Sequence, residues 1–389
     1  MALTIIDVFG GGLMAPLENP YSTYRQLRRE QPVMRLSGWF GEENLITRFA
    51  DVEAILGDPL TFSSQANARG IGLVMGRTLL ELDGTAHLQL RKTIAPFFSL
   101  RALASRIEPI VRATAAELID DLSGFEPVDL VAQLTFTYPL RVIARTLGIP
   151  IADYASFHHR AIDLISVGDD PPRGLGAAQW LRQYLRPLLD ERRAARRDDL
   201  LSMLVEARVG DTALTDDEVI SFLLLLLPAG AETTYRLLGS TLFALLSHDN
   251  ALEEVRADRR KLADAIEETL RWESPVQFVS RQTTAPVTIA GTALEAGEIL
   301  FVAIGSANRD ERRFDRPDQF DLHRQRVEHL AFGLGPHYCA GSHLARLETT
   351  VAITALLDRF PQLRLDPDQP ARIVGLAFRS PDRLPVRLH

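Results

Sequence analysis

The chain has 389 residues, 46% of them hydrophobic and 24% charged, which fits a globular protein with a sizeable core and excludes disordered, collagenous and coiled-coil chains. Its formal net charge of −8 removes any global support for a nucleic-acid partner. The single cysteine, Cys339, forbids an intrachain disulfide and a multi-cysteine zinc site, and leaves one reactive or metal-bound thiolate in a reducing compartment.

No basic residue precedes Arg25, so the N-terminus lacks the charged region of a signal peptide. The longest apolar run, Phe222 to Ala229, falls far short of the ~20 residues of a membrane span. A cytoplasmic protein without membrane association is expected. Residues 33–48 alternate around Gly38 and Gly41 and predict a small hairpin. Residues 61–84 carry Gly70, Gly72, Gly76 and Gly84 without periodicity, the pattern of a long lid or binding loop. Leu103, Ile107, Ile110, Val111, Ala115 and Leu118 form one helical apolar stripe. Residues 167–176 separate two helices and are a second candidate gate; with 61–84, residues 155–185 are expected to shape a substrate pocket. A second β-rich stretch over 286–303 is broken by Gly291 and Gly297 and is expected to join the hairpin. No repeat or linker interrupts the chain. The expectation is one domain over 1–389, mainly α with a small β part around 33–48 and 286–303.

Between these segments runs a long predicted helix, from Thr215 to about Ser247. Thr215 and Glu218 have capping-box spacing at its start. Phe222 to Leu227 is apolar on every face, as in a helix buried all round. Its middle reads Pro228-Ala229-Gly230-Ala231-Glu232-Thr233-Thr234. Pro228 has no N–H for the carbonyl of Leu224, and its ring crowds that carbonyl. Thr233 can bond back to the carbonyl of Ala229. A buried helix with a broken ladder and an acid at its centre marks a functional site.

Cys339 lies in Phe332-Gly333-Leu334-Gly335-Pro336-His337-Tyr338-Cys339-Ala340-Gly341, just before a helical pattern through Leu344, Leu347 and Val351. A thiol near a helix start is favoured as thiolate. Three readings fit: an inert core residue, a nucleophile with His337 or His343 as base, or a thiolate on a porphyrin iron, which needs no other protein ligand.

Phe332-x-x-Gly335-x-x-x-Cys339-x-Gly341, with His337 two residues before the cysteine, resembles the haem-binding loop of the cytochrome P450 family. Further matches lie far away and in the right order. Glu268-Thr269-Leu270-Arg271 is similar to its Glu-x-x-Arg motif, Ala229 to Thr233 to the oxygen-activating stretch of its central helix, and His87-x-x-x-Arg91 to a propionate-binding pair; Ala307-Asn308-Arg309-Asp310 is a run shared with bacterial members. The resemblance spans essentially the whole chain and implies the P450 fold. The implied activity is that of a haem-thiolate monooxygenase inserting one oxygen atom of O2 into a hydrophobic small molecule. A peroxide-driven hydroxylase and a non-catalytic haem sensor are the alternatives.

The resemblance also assigns residues. Cys339 is the iron ligand of haem b (iron protoporphyrin IX), shielded by Phe332, with Gly335 and Gly341 shaping the loop. Propionates fall to His87, Arg91, Arg281 and His337. Glu268, Arg271 and Arg324 form a structural brace. Glu232 and Thr233 are the catalytic pair, with Glu232 feeding protons. Leu225, Ala229, Gln277, Val279, Ala377 and Phe378 face the substrate. With no nucleotide-binding Gly-x-Gly-x-x-Gly after a strand, electrons must come from outside. The implied source is an acidic ferredoxin with its reductase and NAD(P)H, docking on a face carrying Arg91, Lys92, Arg326 and Arg346.

Overall fold

The computed structural model describes residues 3–38, 41–122, 127–165, 170–325 and 328–389. Eight of its helices position the site: α1 (Gly84–Ile94), α2 (Glu108–Asp120), α3 (Tyr138–Leu147), α4 (Tyr154–Ile165), α5 (Pro171–Ala194), α6 (Asp216–Ser247), α7 (Lys261–Trp272) and α8 (Ser342–Arg359). A five-stranded sheet is built from β1 (Val33–Gly38), β2 (Gly41–Ile46), β3 (Phe62–Ser63), β4 (Phe278–Thr283) and β5 (Ile299–Ala303). Its order is β1-β2-β5-β4-β3. Near the C-terminus, β6 (Ser380–Pro381) pairs with Ile373–Val374.

The hairpin expected at 33–48 forms, with Val33 opposite Ile46 and Met34 opposite Leu45. Only β5 of the second β-rich stretch joins it, parallel to β2. Val287–Ile289 and Thr292–Leu294 make a separate hairpin. The strand that completes the sheet, β4, lies just upstream, and it carries Arg281 opposite Leu300. The glycine-rich stretch 61–84 is more ordered than a lid loop. It folds into β3, a 3-10 turn over Gln65–Arg69 and a helical turn over Gly72–Met75. Of the second candidate gate, residues 167–169 lie outside the described residues, and from Pro171 the chain is already α5.

Helix α6 organises the molecule. Thr215 caps it, and both halves of the expected capping box are made, the Glu218 carboxylate accepting from the Thr215 amide at 2.8 Å. At 32 residues it is about 48 Å long. Its N-terminal half, through Val219, Leu223, Leu224 and Leu227, packs into a core shared with α3, α4 and α5. Its C-terminal half, through Leu237, Leu238, Leu242 and Leu245, packs into a second core with α2, α7 and α8. By length and composition the helix is apolar enough to cross a membrane, but 61% of its most apolar window is buried inside the fold.

The sequence predicts a broken ladder at Pro228, yet α6 is continuous through it. Tertiary packing on both sides holds a helix that propensity alone would interrupt. Gly230 has a packing reason of its own: a Cβ there would stand 2.7 Å from the Ile143 side chain on α3. Pro228→Ala restores an N–H to the Leu224 carbonyl and removes a ring clash worth ~3 kcal/mol in a helix interior. Part of that gain is offset by lost ring packing. Thermal melting of the variant is expected to rise by several degrees; a lower melting temperature means that the ring is a packing element and that the helix bears no strain there.

Candidate active site

The cysteine loop is set by its backbone. Leu330 leads into it with its amide bonded to Asn308 Oδ1 at 2.8 Å. The Cys339 amide then donates to the Phe332 carbonyl at 2.9 Å, which closes the loop. Gly335 has a left-handed φ of +68°, and a Cβ there would lie 2.9 Å from the Leu56 carbonyl oxygen; only glycine fits. A 3-10 turn over Gly335–His337 and then α8, starting at Ser342, place Cys339 just ahead of a helix start. Burial pushes the thiol pKa up, while the Gly341 amide and the charges of Arg91 and Arg346 act in the opposite direction. The Arg346 guanidinium lies 4.5 Å from the Phe332 ring centroid.

Beside the cysteine loop lies a concentration of hydrogen-bond donors, two guanidinium groups and two imidazoles. His87 on α1 and His337 stack with ring centroids 4.1 Å apart. Arg281 on β4 is only 7% exposed, and its one hydrogen bond runs to the carbonyl of its neighbour Ser280 at 2.8 Å. Burial draws its pKa down to about 10, with Asp83 as the opposing charge. His337 is drawn down to about 4 by burial and by the nearness of Arg281 and His87. His87 is lowered likewise, by burial first and then by Arg91. Among the described residues the Arg91 guanidinium has no hydrogen-bond partner, while its carbonyl accepts from the Ala95 amide. The single carboxylate present is Asp83, 3.2 Å from His337 Nε2, which also accepts from the Ser63 hydroxyl and the Ser64 amide. Ser64 Oγ stands 3.0 Å from the same histidine nitrogen. Sequence reasoning missed Asp83 and Ser64, whose partner in the fold is more than 250 residues away.

A buried guanidinium spent on one backbone carbonyl, next to a second unpaired arginine and two imidazoles, is complementary to anionic groups. Two carboxylates beside a thiolate ligand are what haem presents, so the donor set fits the group that the cysteine loop implies. Among the described residues no cluster of three or more His, Cys, Asp or Glu side chains has the arrangement of a metal site.

In the brace Glu268 and Arg271 are buried and Arg324 is half-buried. Arg271 donates to both Glu268 oxygens at 2.8 and 2.7 Å, and to the carbonyls of Asn308, Pro317 and Gln319. Arg324 Nε and the Asp321 amide also reach Glu268. Through Asn308, whose carbonyl serves Arg271 and whose side chain holds Leu330, this network is tied to the cysteine loop.

On α6 the Thr233 hydroxyl donates to the Ala229 carbonyl at 2.7 Å, as its sequence position predicts. Ala229 is exposed and Thr233 half-exposed on a helix otherwise mostly buried. Glu232 is 6% exposed and forms an ion pair with Arg236 one turn on. Of the expected substrate-facing residues, Val279, Ala377 and Phe378 are half-exposed, while Leu225 is in the core. Gln277 departs from expectation. It is fully buried, and its amide nitrogen donates to the Ser274 carbonyl at 2.8 Å and reaches the Tyr21 hydroxyl at 3.4 Å. Its nitrogen faces a polar cluster in which Tyr21 and Arg379 bond Glu273, while its Oε1 is buried without a hydrogen-bond partner among the described residues. The expected basic face is also reduced. Lys92 is exposed, Arg91 half-buried, Arg346 is forked onto Glu267 at 2.6 and 2.9 Å, and Arg326 lies outside the described residues.

Helical architecture, a lone cysteine just ahead of α8 and two arginines and two imidazoles beside it are the features expected of a haem-thiolate protein. Comparison with known proteins makes this specific. The family model "Cytochrome P450" matches residues 173–376. The chain is 35% identical over 381 residues to the cytochrome P450 monooxygenase PikC of Streptomyces venezuelae, covering 95% of this chain and 91% of that one. Ligand-free cytochrome P450 TbtJ1 superimposes with a TM-score of 0.87 at 36% identity, over 97% of this chain and 99% of that one. CYP109E1 from Bacillus megaterium in complex with corticosterone gives 0.85 at 30% identity, over 95% and 98%. The chain belongs to the cytochrome P450 family, and it is a P450 monooxygenase.

The brace yields a test. Glu268→Ala leaves Arg271 charged and buried without its partner, at a cost of ~3–5 kcal/mol. The variant is expected to melt markedly lower and to be isolated with little haem. Normal melting and full haem content would reduce the network to a replaceable ion pair.

Proposed function

We propose that this monooxygenase inserts one atom of O2 into a hydrophobic small organic substrate, taking electrons from an external ferredoxin and its NAD(P)H-linked reductase. The observation that carries the reading is the convergence of Arg281, Arg91, His87 and His337 beside Cys339. In this reading those four hold the propionates of haem b by charge-assisted bonds, and Cys339 is the thiolate ligand. The Gly341 amide tempers the charge on sulfur, and the Phe332 ring covers it. Bound in this way, haem supplies the iron at which dioxygen is reduced and split, aided by electron donation from the thiolate.

The overall balance is substrate plus O2, two electrons and two protons giving hydroxylated product and water. The chain's own task is then to deliver protons inside a site that excludes bulk water. Thr233 commits its proton to Ala229, so its oxygen remains an acceptor that positions a water molecule. Glu232, next to it, moves protons inward. Leu225, Ala229, Val279, Ala377 and Phe378 make an apolar wall suited to a hydrophobic substrate, and Gln277, turned into the polar cluster, drops out of that wall. Lys92 is the exposed cation left for an acidic ferredoxin, steering its approach by charge.

Two measurements test this. The reduced carbon monoxide complex is expected to absorb at the long-wavelength position of a thiolate-ligated haem, and Cys339→His is expected to abolish that band; an unchanged spectrum removes Cys339 from the iron. Thr233→Ala is expected to keep haem and fold while releasing peroxide in place of product, because positioned proton transfer contributes ~10²–10⁴-fold. Added hydrogen peroxide should restore part of its turnover. Equal product per NADPH in variant and wild type would make Thr233 an ordinary helix residue.

A further inference from the structure

Among the described residues Glu232 is held through one oxygen, Oε1. Arg236 Nε donates to its Oε1 at 2.9 Å, Arg236 Nη2 donates to the same atom, and the Tyr235 hydroxyl reaches it at 3.3 Å. The arginine is itself fixed on every side. Its Nη1 donates to Ser380 Oγ on β6 at 3.1 Å, and its guanidinium lies 4.8 Å from the Tyr235 ring and 5.5 Å from that of Phe378. A planar fork so packed has little freedom to swing.

The carboxylate borders a crevice of about 20 Å³ between α6, α3 and α4, whose walls include Leu140, His158, Ala161, Pro228 and Tyr235. That is room for one water. The crevice leads outward to His158, which is half-exposed and stacked on Phe136 at 5.0 Å. Leu140, the wall contributed by α3, is apolar, so the ionisable groups around the crevice are Glu232, Tyr235 and His158. Pro228, the residue that disturbs the α6 pattern, forms part of the wall and offers no N–H to it.

Resting on the monooxygenase reading above, we infer that Arg236 is a positioning residue: it anchors Glu232 by Oε1 and leaves Oε2 to a water in this crevice, through which protons enter from the His158 side. As an acceptor Oε1 is saturated by protein donors, whereas Oε2 is the oxygen able to exchange a proton with solvent. Arg236 does not touch the reacting atoms and acts only through the orientation of Glu232.

The experiment uses the holoenzyme with its redox partners. Arg236→Gln is expected to keep the thiolate carbon monoxide band and peroxide-driven turnover while product per NADPH falls about tenfold or more, with a larger solvent deuterium isotope effect on product formation. Arg236→Lys should recover part of the loss. Ala161→Leu, which fills the crevice and leaves Arg236 in place, should uncouple in the same way; its melting temperature checks that the fold persists. Apart from activity, a double-mutant cycle of Glu232→Gln and Arg236→Gln in thermal melting should be non-additive. Additive melting, or wild-type coupling and isotope effect in Arg236→Gln with the band intact, overturns the role of Arg236. Wild-type coupling in a folded Ala161→Leu overturns the crevice as the route. Absence of the thiolate band in the wild type defeats the underlying reading, and this inference with it.

Discussion

Arg281 is a guanidinium buried on a central strand with a single backbone acceptor. A charge in that position is tolerated only when something anionic neutralises it, because desolvating an ion costs several kcal/mol even after the protein relaxes. Asp83 supplies one negative charge, already shared among His337, Ser63 and Ser64. His87 and Arg91 add further demand on the same side. The fold brings β4, α1 and the cysteine loop together around this unbalanced charge, which an anionic prosthetic group would resolve. The thiolate alone would be a lone cysteine of ambiguous purpose; the cations beside it decide what the cysteine is for.

The support for this arrangement comes from farther out. Glu268 and Arg271 are buried and hydrogen-bonded throughout, Arg324 is half-buried against them, and their contact with the site is indirect, through Asn308 and Leu330. Buried ion networks of this sort contribute little net stability against an apolar alternative, but they fix geometry. Here they fix the entry of the loop whose exit is α8.

Much of this was legible in the sequence where the physics is local. Capping of α6 follows from Thr215 and Glu218, three residues apart, and the Thr233 back-bond from its place one turn after Ala229. The hairpin at 33–48 follows from alternation. What escaped was mostly non-local. Asp83 and Ser64 meet His337 across more than 250 residues, and no spacing announces that. Gln277 was assigned to the substrate wall by family pattern, but its amide finds partners in the Tyr21–Glu273 cluster, a long-range fact. The helix expected through Pro228 forms, and packing on both sides holds it although the proline leaves one rung of its ladder unmade. Arg236 is different: Glu232 and Arg236 at i, i+4 is a spacing that pairs charges on any helix, so the signal was present. The segment 61–84 was misread because glycines set turns within short helical pieces as readily as they mark loops.

Helix α6 spans both large cores, its first half embedded with α3, α4 and α5 and its second with α2, α7 and α8, and α3 also sends residues into each, Leu140 and Ile143 into the first and Tyr138 and Val142 into the second. Sub-global opening of a protein proceeds in contiguous units bounded by where packing is shared. The α4–α5 side can therefore loosen as a unit only as far as α6, which stays anchored by its other half. Backbone amides on that side are expected to exchange with solvent through openings that leave the cysteine loop closed, and amides of α6 more slowly, since its two halves are held in different cores. The protein can thus let molecules in at one end of a helix without disturbing what is bound at the other.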